Sequence, residues 1–111
     1  MKPPKRVKVG PHDVRVVATR RAMDRLCREE GEDLLGHFSS QRLEILVDPA
    51  QAKSQERDTL LHELLHAIFD TSGLAHSWQN ADEEDAIRRI SPLLLDVLRS
   101  NPKLVEYLVA S

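Results

Sequence analysis

Thr59-Leu60-Leu61-His62-Glu63-Leu64-Leu65-His66-Ala67-Ile68-Phe69 is the stretch on which the reading of this 111-residue chain turns. Every residue in it is compatible with a helix, and Leu61, Leu64, Leu65 and Ile68 recur at the i, i+3, i+4, i+7 spacing of a buried helical face. His62 and His66 then stand one above the other on a single face, about 6 Å apart along the axis, so both imidazoles can reach one metal ion. Glu63 lies about 100° round from His62, near enough for its carboxylate to touch a water on that ion. H-E-x-x-H on a helix is the spacing that holds a catalytic zinc. The competing reading is an amphipathic helix whose histidines sit satisfied at the border of the apolar stripe. Glu63 between them favours the metal.

A catalytic zinc usually takes three protein ligands and keeps a fourth position for water. After Gly73 ends the first helix, Ala81 to Ile90 opens another, with Asn80 or Asp82 as N-cap and acids in its first turn. Glu83 and Glu84 both precede Ile87 by about one turn, and the small Ala86 would let the turn bearing Glu83 approach the histidine helix closely. Glu83 is the expected third ligand and Glu84 its neighbouring alternative. The acid run also complements the positive end of a helix dipole.

The stretch from Glu56 to Ile68, followed by a downstream glutamate pair, resembles the short gluzincin-type zinc metallopeptidases, and in particular small phage and bacterial proteins of the ImmA/IrrE type and the minigluzincins. The likeness spans roughly residues 34–108 and is specific in the helix motif. It implies a zincin-like fold with a small antiparallel sheet before the active-site helix and a glutamate-bearing helix after it. It also implies a protein substrate inside the cell, with His62, His66 and Glu83 as zinc ligands and Glu63 as base. An edge strand beside the active-site helix would pair with extended substrate. The chain departs from the thermolysin-like pattern at Ile87, where larger members carry an aspartate that supports a histidine. Asp70, one turn after His66, is the nearest carboxylate to take a supporting role here.

Size and composition bound the setting. The length fits one domain, residues 1–111, with 1–6 expected to be flexible and no room for the second lobe of large metallopeptidases. Cys27 is the sole cysteine, so no internal disulfide forms, and no apolar export segment or membrane span is seen; a cytoplasmic location is expected. Net charge is −2, which argues against a dedicated nucleic-acid binder. Nine of the sixteen basic residues nevertheless fall in residues 1–28, against only Asp13 and Asp24. A solvated basic surface is the plainer account of that asymmetry.

The remaining pattern predicts an α+β chain with a small antiparallel sheet of about three strands packed on the H-E-x-x-H helix. Val7, Val9, Val14, Val16 and Val17 mark an extended stretch interrupted by Gly10-Pro11. Thr19 caps a helix to Glu30 whose stripe is Ala22, Met23, Leu26 and Cys27, which makes Cys27 a core residue. Leu34–Ser39 and Arg42–Val47 form a hairpin around Ser40-Gln41. Pro92 should kink or break the glutamate helix, and Asn101-Pro102 starts a last short helix. Trp78 and Tyr107 are expected in core or rim packing.

The expected chemistry is hydrolysis of a peptide bond by a zinc-activated water, with Glu63 as general base. An oxyanion donor is needed as well; His76 is placed best, with His37, His12 and Tyr107 as further candidates. The alternative is a non-catalytic, zinc-stabilised regulatory or protein-interaction module, closed by a fourth ligand such as His76 or Cys27.

Overall fold

Gly10, at φ 58°, turns the valine-rich N-terminal stretch back on itself in a conformation that residues with a Cβ rarely adopt. The result is an antiparallel hairpin of β1 (Arg6–Val9) and β2 (His12–Val17), with Val7 opposite Val14. The structure, a computed structural model, describes residues 1–80 and 82–110. Ahead of the hairpin, the Lys5 carbonyl accepts from the Val16 N–H at 2.8 Å and the Met1 carbonyl accepts from Lys53 Nζ at 3.1 Å.

α1 (Arg20–Glu30) starts and stops at the expected signals. Thr19 Oγ1 accepts from the Ala22 N–H at 3.2 Å, and Gly31 ends the helix at φ 72° with its N–H donated to the Cys27 carbonyl. β3 (Gly36–Ser39) and β4 (Glu44–Val47) form the second hairpin, with Phe38 opposite Ile45.

The sheet has four strands in the order β1-β2-β4-β3, and β2 runs parallel to β4. This corrects the expected antiparallel sheet of about three strands. The chain enters the second hairpin at its outer strand, so the returning strand is the one that lies against β2, in the same direction. β4 takes the interior place because Ile45 and Val47 are fully buried, whereas all four β3 residues stay half-exposed.

Val7, Val9, Val14, Val16, Ile45 and Val47 alternate onto one face of the sheet. That face is covered by Leu60, Leu64, Ala67 and Ile68 of α2 (Lys53–Thr71), together with residues of two C-terminal helices. On the opposite face, Val17 and Leu46 line a cavity together with Ala22 and Leu26 of α1, while Arg6, Lys8 and Arg15 remain exposed.

After α2, Gly73 at φ 79° leads into a short α3 (Leu74–Ser77) and a 3-10 turn over Trp78–Asn80, neither marked in the sequence pattern. α4 (Glu83–Ser100) is capped by Asp82, whose Oδ1 accepts from the Asp85 N–H at 2.8 Å. Ala81, where the helix was expected to open, and the Asn80 side chain lie outside the described residues. Pro92 does not break α4. Pro92 and Arg88, one turn before it, are both exposed, so the carbonyl that loses its N–H partner can meet water.

α5 (Pro102–Val109) begins at the expected Asn101-Pro102 and folds back onto α2. Asn101 bridges to the outer edge of β1: its Oδ1 accepts from the Lys8 N–H at 2.8 Å and its Nδ2 donates to the Lys8 carbonyl at 2.9 Å. Tyr107 is fully buried, and its hydroxyl donates to Glu56 at 2.6 Å. Among the described residues no helix is long and apolar enough to cross a membrane.

Candidate functional site

Two leucine pairs compete for the inward face of α2, Leu60/Leu64 and Leu61/Leu65, and the i, i+3, i+4, i+7 spacing puts Leu61 and Leu65 inward. The structure buries Leu60, Leu64, Ala67 and Ile68, with Glu56, Thr59 and Glu63 on the same side. Leu61 and Leu65, expected in the core, are each 38% exposed. The small Ala67 lets the helix lie close to the strands, and Gly36 does the same on β3. A Cβ at Gly36 would stand 2.5 Å from Thr59 Cγ2 and 3.3 Å from Glu63 Oε2. The register that buries Glu63 therefore turns the histidines outward.

His62 and His66 stand exposed on that outer face, and their rings meet edge to face with centroids 4.9 Å apart. The two Nε2 atoms face each other at 3.3 Å. Two nitrogens at about 2.0–2.1 Å from a tetrahedral zinc are separated by about 3.3–3.4 Å, so this spacing is that of two ligands on one ion. One neutral ring can equally donate to the other across the same gap.

Glu63 is 8% exposed and lies against the half-exposed edge strand β3. Among the described residues no hydrogen bond holds its carboxylate, nor is any fully buried side-chain oxygen or nitrogen left without a partner. The Glu63 oxygens thus keep access to water. The start of β3 is fixed by Gln51, which accepts from Thr59 Oγ1 at 3.0 Å and donates to the Asp48 carbonyl at 2.9 Å and the Leu35 carbonyl at 3.4 Å.

The expected third ligand is not gathered in. Glu83 sits exposed in the first turn of α4, and among the described residues no three His, Cys, Asp or Glu side chains form a metal-holding group. Glu84 is exposed too and reaches Arg88 at 3.9 Å. Asp70, expected behind His66, instead lies 3.5 Å from His76 Nε2, with His76 itself exposed. His37 lies on β3 and His12 opens β2. Tyr107 is committed to Glu56 and is not available as an oxyanion donor.

Cys27 is half-buried on α1, across the sheet from α2, and its thiol exchanges hydrogen bonds with the Leu34 backbone at 3.4 and 3.7 Å. It neither joins the histidines nor fills the core as expected. Trp78 is 57% exposed and leans on Phe69 at 5.8 Å between ring centroids. Leu61, Leu65, Phe69 and Trp78 therefore run as an apolar margin beside the histidine pair, on the side away from Glu63.

Two features here lay outside the sequence reading. One is the buried Glu56, bonded by Tyr107 and by Lys53 at 3.3 Å. Burial and the Glu56 hydrogen bond push the Tyr107 hydroxyl well above its ordinary range. The other is the seat at Gly36, for which a lone glycine inside a strand pattern was the available signal. On the far side of the sheet, burial raises the Asp48 carboxyl, but the Arg20 guanidinium at 2.8 Å and the Ala50 N–H at 2.9 Å outweigh it and hold the group below its usual range. Comparison with protein-family models, curated proteins and solved structures finds no match to this chain.

Proposed function

We propose that this chain is a zinc-dependent metallopeptidase of the short gluzincin type, zincin-like in fold, that hydrolyses peptide bonds in a protein substrate. The observation that carries the reading is the 3.3 Å separation of the His62 and His66 Nε2 atoms on an exposed helical face. Burying a carboxylate while exposing Leu61 and Leu65 is also unlike a helix whose histidines are incidental.

In this reading His62 and His66 hold the ion, and Glu83, with Glu84 beside it, is the carboxylate to complete the set. Bound there, zinc would supply a Lewis acid that acidifies a water molecule. Glu63 would take up a proton on a carboxylate oxygen and return it to the departing amine. Its confinement against Gly36 fixes where that oxygen stands. β3, an edge strand, offers main-chain groups to an extended segment of substrate. A reducing, cytoplasmic setting suits the lone Cys27.

The test is zinc content and proteolysis measured on the same preparations. Wild type should carry one zinc per chain and cleave an unfolded protein mixture; His62→Ala should lose both, and Glu63→Gln only cleavage. Zinc binding that survives His62→Ala would overturn the assignment. Zinc with no cleavage in any mixture would favour a zinc-stabilised interaction module instead. Comparing Glu83→Ala with Glu84→Ala identifies the third ligand.

A further inference from the structure

A cavity of about 570 Å³ opens beside the N-terminal hairpin, and Lys2, Lys5, Arg6, Arg15 and Lys53 are among the residues that line it. Its volume falls in the range of small-molecule sites, about 300–1,000 Å³. No histidine of the candidate metal centre lines it.

The charges there are poorly compensated. Arg6 and Arg15 lie directly opposite each other across the β1–β2 ladder, a like-charge pairing that weakens a sheet. Arg15 has one partner, Glu44, and Lys53 has Glu56. Among the described residues no ion pair holds Lys2, Lys5 or Arg6. The one carboxylate in the lining, Glu56, is 1% exposed and bonded to the Tyr107 hydroxyl, so it cannot swing out to neutralise the rim. This concentration of charge stands on a chain whose net charge is −2.

The walls between these cations are apolar. Pro3, Pro49, Val17 and Ala18 contribute flat or small hydrophobic surface. Cations above an apolar floor match a ligand that carries phosphate on a planar, weakly polar body. A bare inorganic anion would leave that floor unused, and an acidic peptide would bring carboxylates without the ring.

We infer that the cavity between β1, β2 and the start of α2 binds the phosphate-bearing unit of a nucleotide, with Lys5 and Arg6 gripping the phosphate and Pro3 and Pro49 facing the base. The unit is either a free nucleotide or one residue of a single-stranded nucleic acid. The site is independent of the peptidase reading.

The test uses the full chain in low salt. ATP and inorganic phosphate are titrated by calorimetry, and a labelled single-stranded DNA by fluorescence anisotropy. ATP or the DNA should bind. The Lys5→Ala/Arg6→Ala double variant should weaken binding by about tenfold or more, while Arg88→Ala on α4 should not. Both substituted side chains are exposed, and thermal melting checks that the variant stays folded. DNA binding much tighter than ATP binding assigns the strand, and the converse assigns the free nucleotide. The inference fails if neither binds, if the double variant binds as wild type does, or if inorganic phosphate or polyglutamate competes as well as ATP.

Discussion

Helix α2 buries two glutamates two turns apart, and the contrast between them separates a structural carboxylate from a chemical one. Glu56, 1% exposed, accepts on one oxygen, Oε1, from both the Tyr107 hydroxyl and Lys53, which ties it to α5 and to its own helix. Glu63, 8% exposed, is held by shape alone, against Gly36 and Thr59, with its oxygens left to water. Burial does not distinguish the two. Partners do. A group meant to move protons must keep a lone pair unspent, whereas a group meant to join two helices must not.

The largest effect expected of this contrast is at Glu63. Glu63→Gln should reduce cleavage by about a hundredfold or more while leaving the melting temperature nearly unchanged, read by peptide release and calorimetry. Glu56→Ala should do the reverse: a loss of about 3 kcal/mol in denaturant unfolding, because the Tyr107 hydroxyl and Lys53 lose their acceptor, with zinc binding retained. If Glu56→Ala abolishes zinc binding in folded protein, the division of labour is wrong.

Gly36→Ala probes the confinement of Glu63. It should destabilise the fold by about 1–3 kcal/mol through the Thr59 Cγ2 clash. Thr59→Ser removes that methyl while keeping the bond to Gln51, so the double variant should recover about 1 kcal/mol in a mutant cycle. Absence of coupling would mean that β3 shifts instead of pressing on α2.

The pH dependence is smaller. The folded state raises the Tyr107 hydroxyl above its unfolded value of about 10, so its contribution is complete below that pH and is lost as pH rises beyond it. Tyr107→Phe should flatten alkaline unfolding there. Asp48 is shifted the other way, so its contribution is present above about pH 4 and fades as pH falls through the lowered value. With Arg20 largely exposed, Arg20→Ala should weaken acid stability only slightly, read as a small move of the acid-unfolding midpoint to higher pH.

Local rules carried much of the fold. Thr19, Gly31, Asp82 and Asn101-Pro102 set helix ends by chemistry confined to a few residues, and each is legible by eye. Non-local choices were not. Which leucine pair of α2 faces inward depends on Gly36 meeting Thr59 and Glu63 across space, and the parallel β2–β4 contact depends on which strand of a hairpin is the more apolar. At the site, the histidine spacing was visible because four residues of helix fix it. The place of Glu83 was not, since a turn, a short helix and a 3-10 segment intervene between α2 and α4.

Asn101 has a consequence for how this molecule meets other chains. By giving both arms of its amide to Lys8, it behaves like one residue of a fifth strand and shuts the outer rim of β1. Strand recruitment is thereby steered to the opposite rim, at β3, next to Glu63. On the peptidase reading, a substrate and a sibling molecule would have to queue at the same door, so self-association through strands and access to Glu63 would compete.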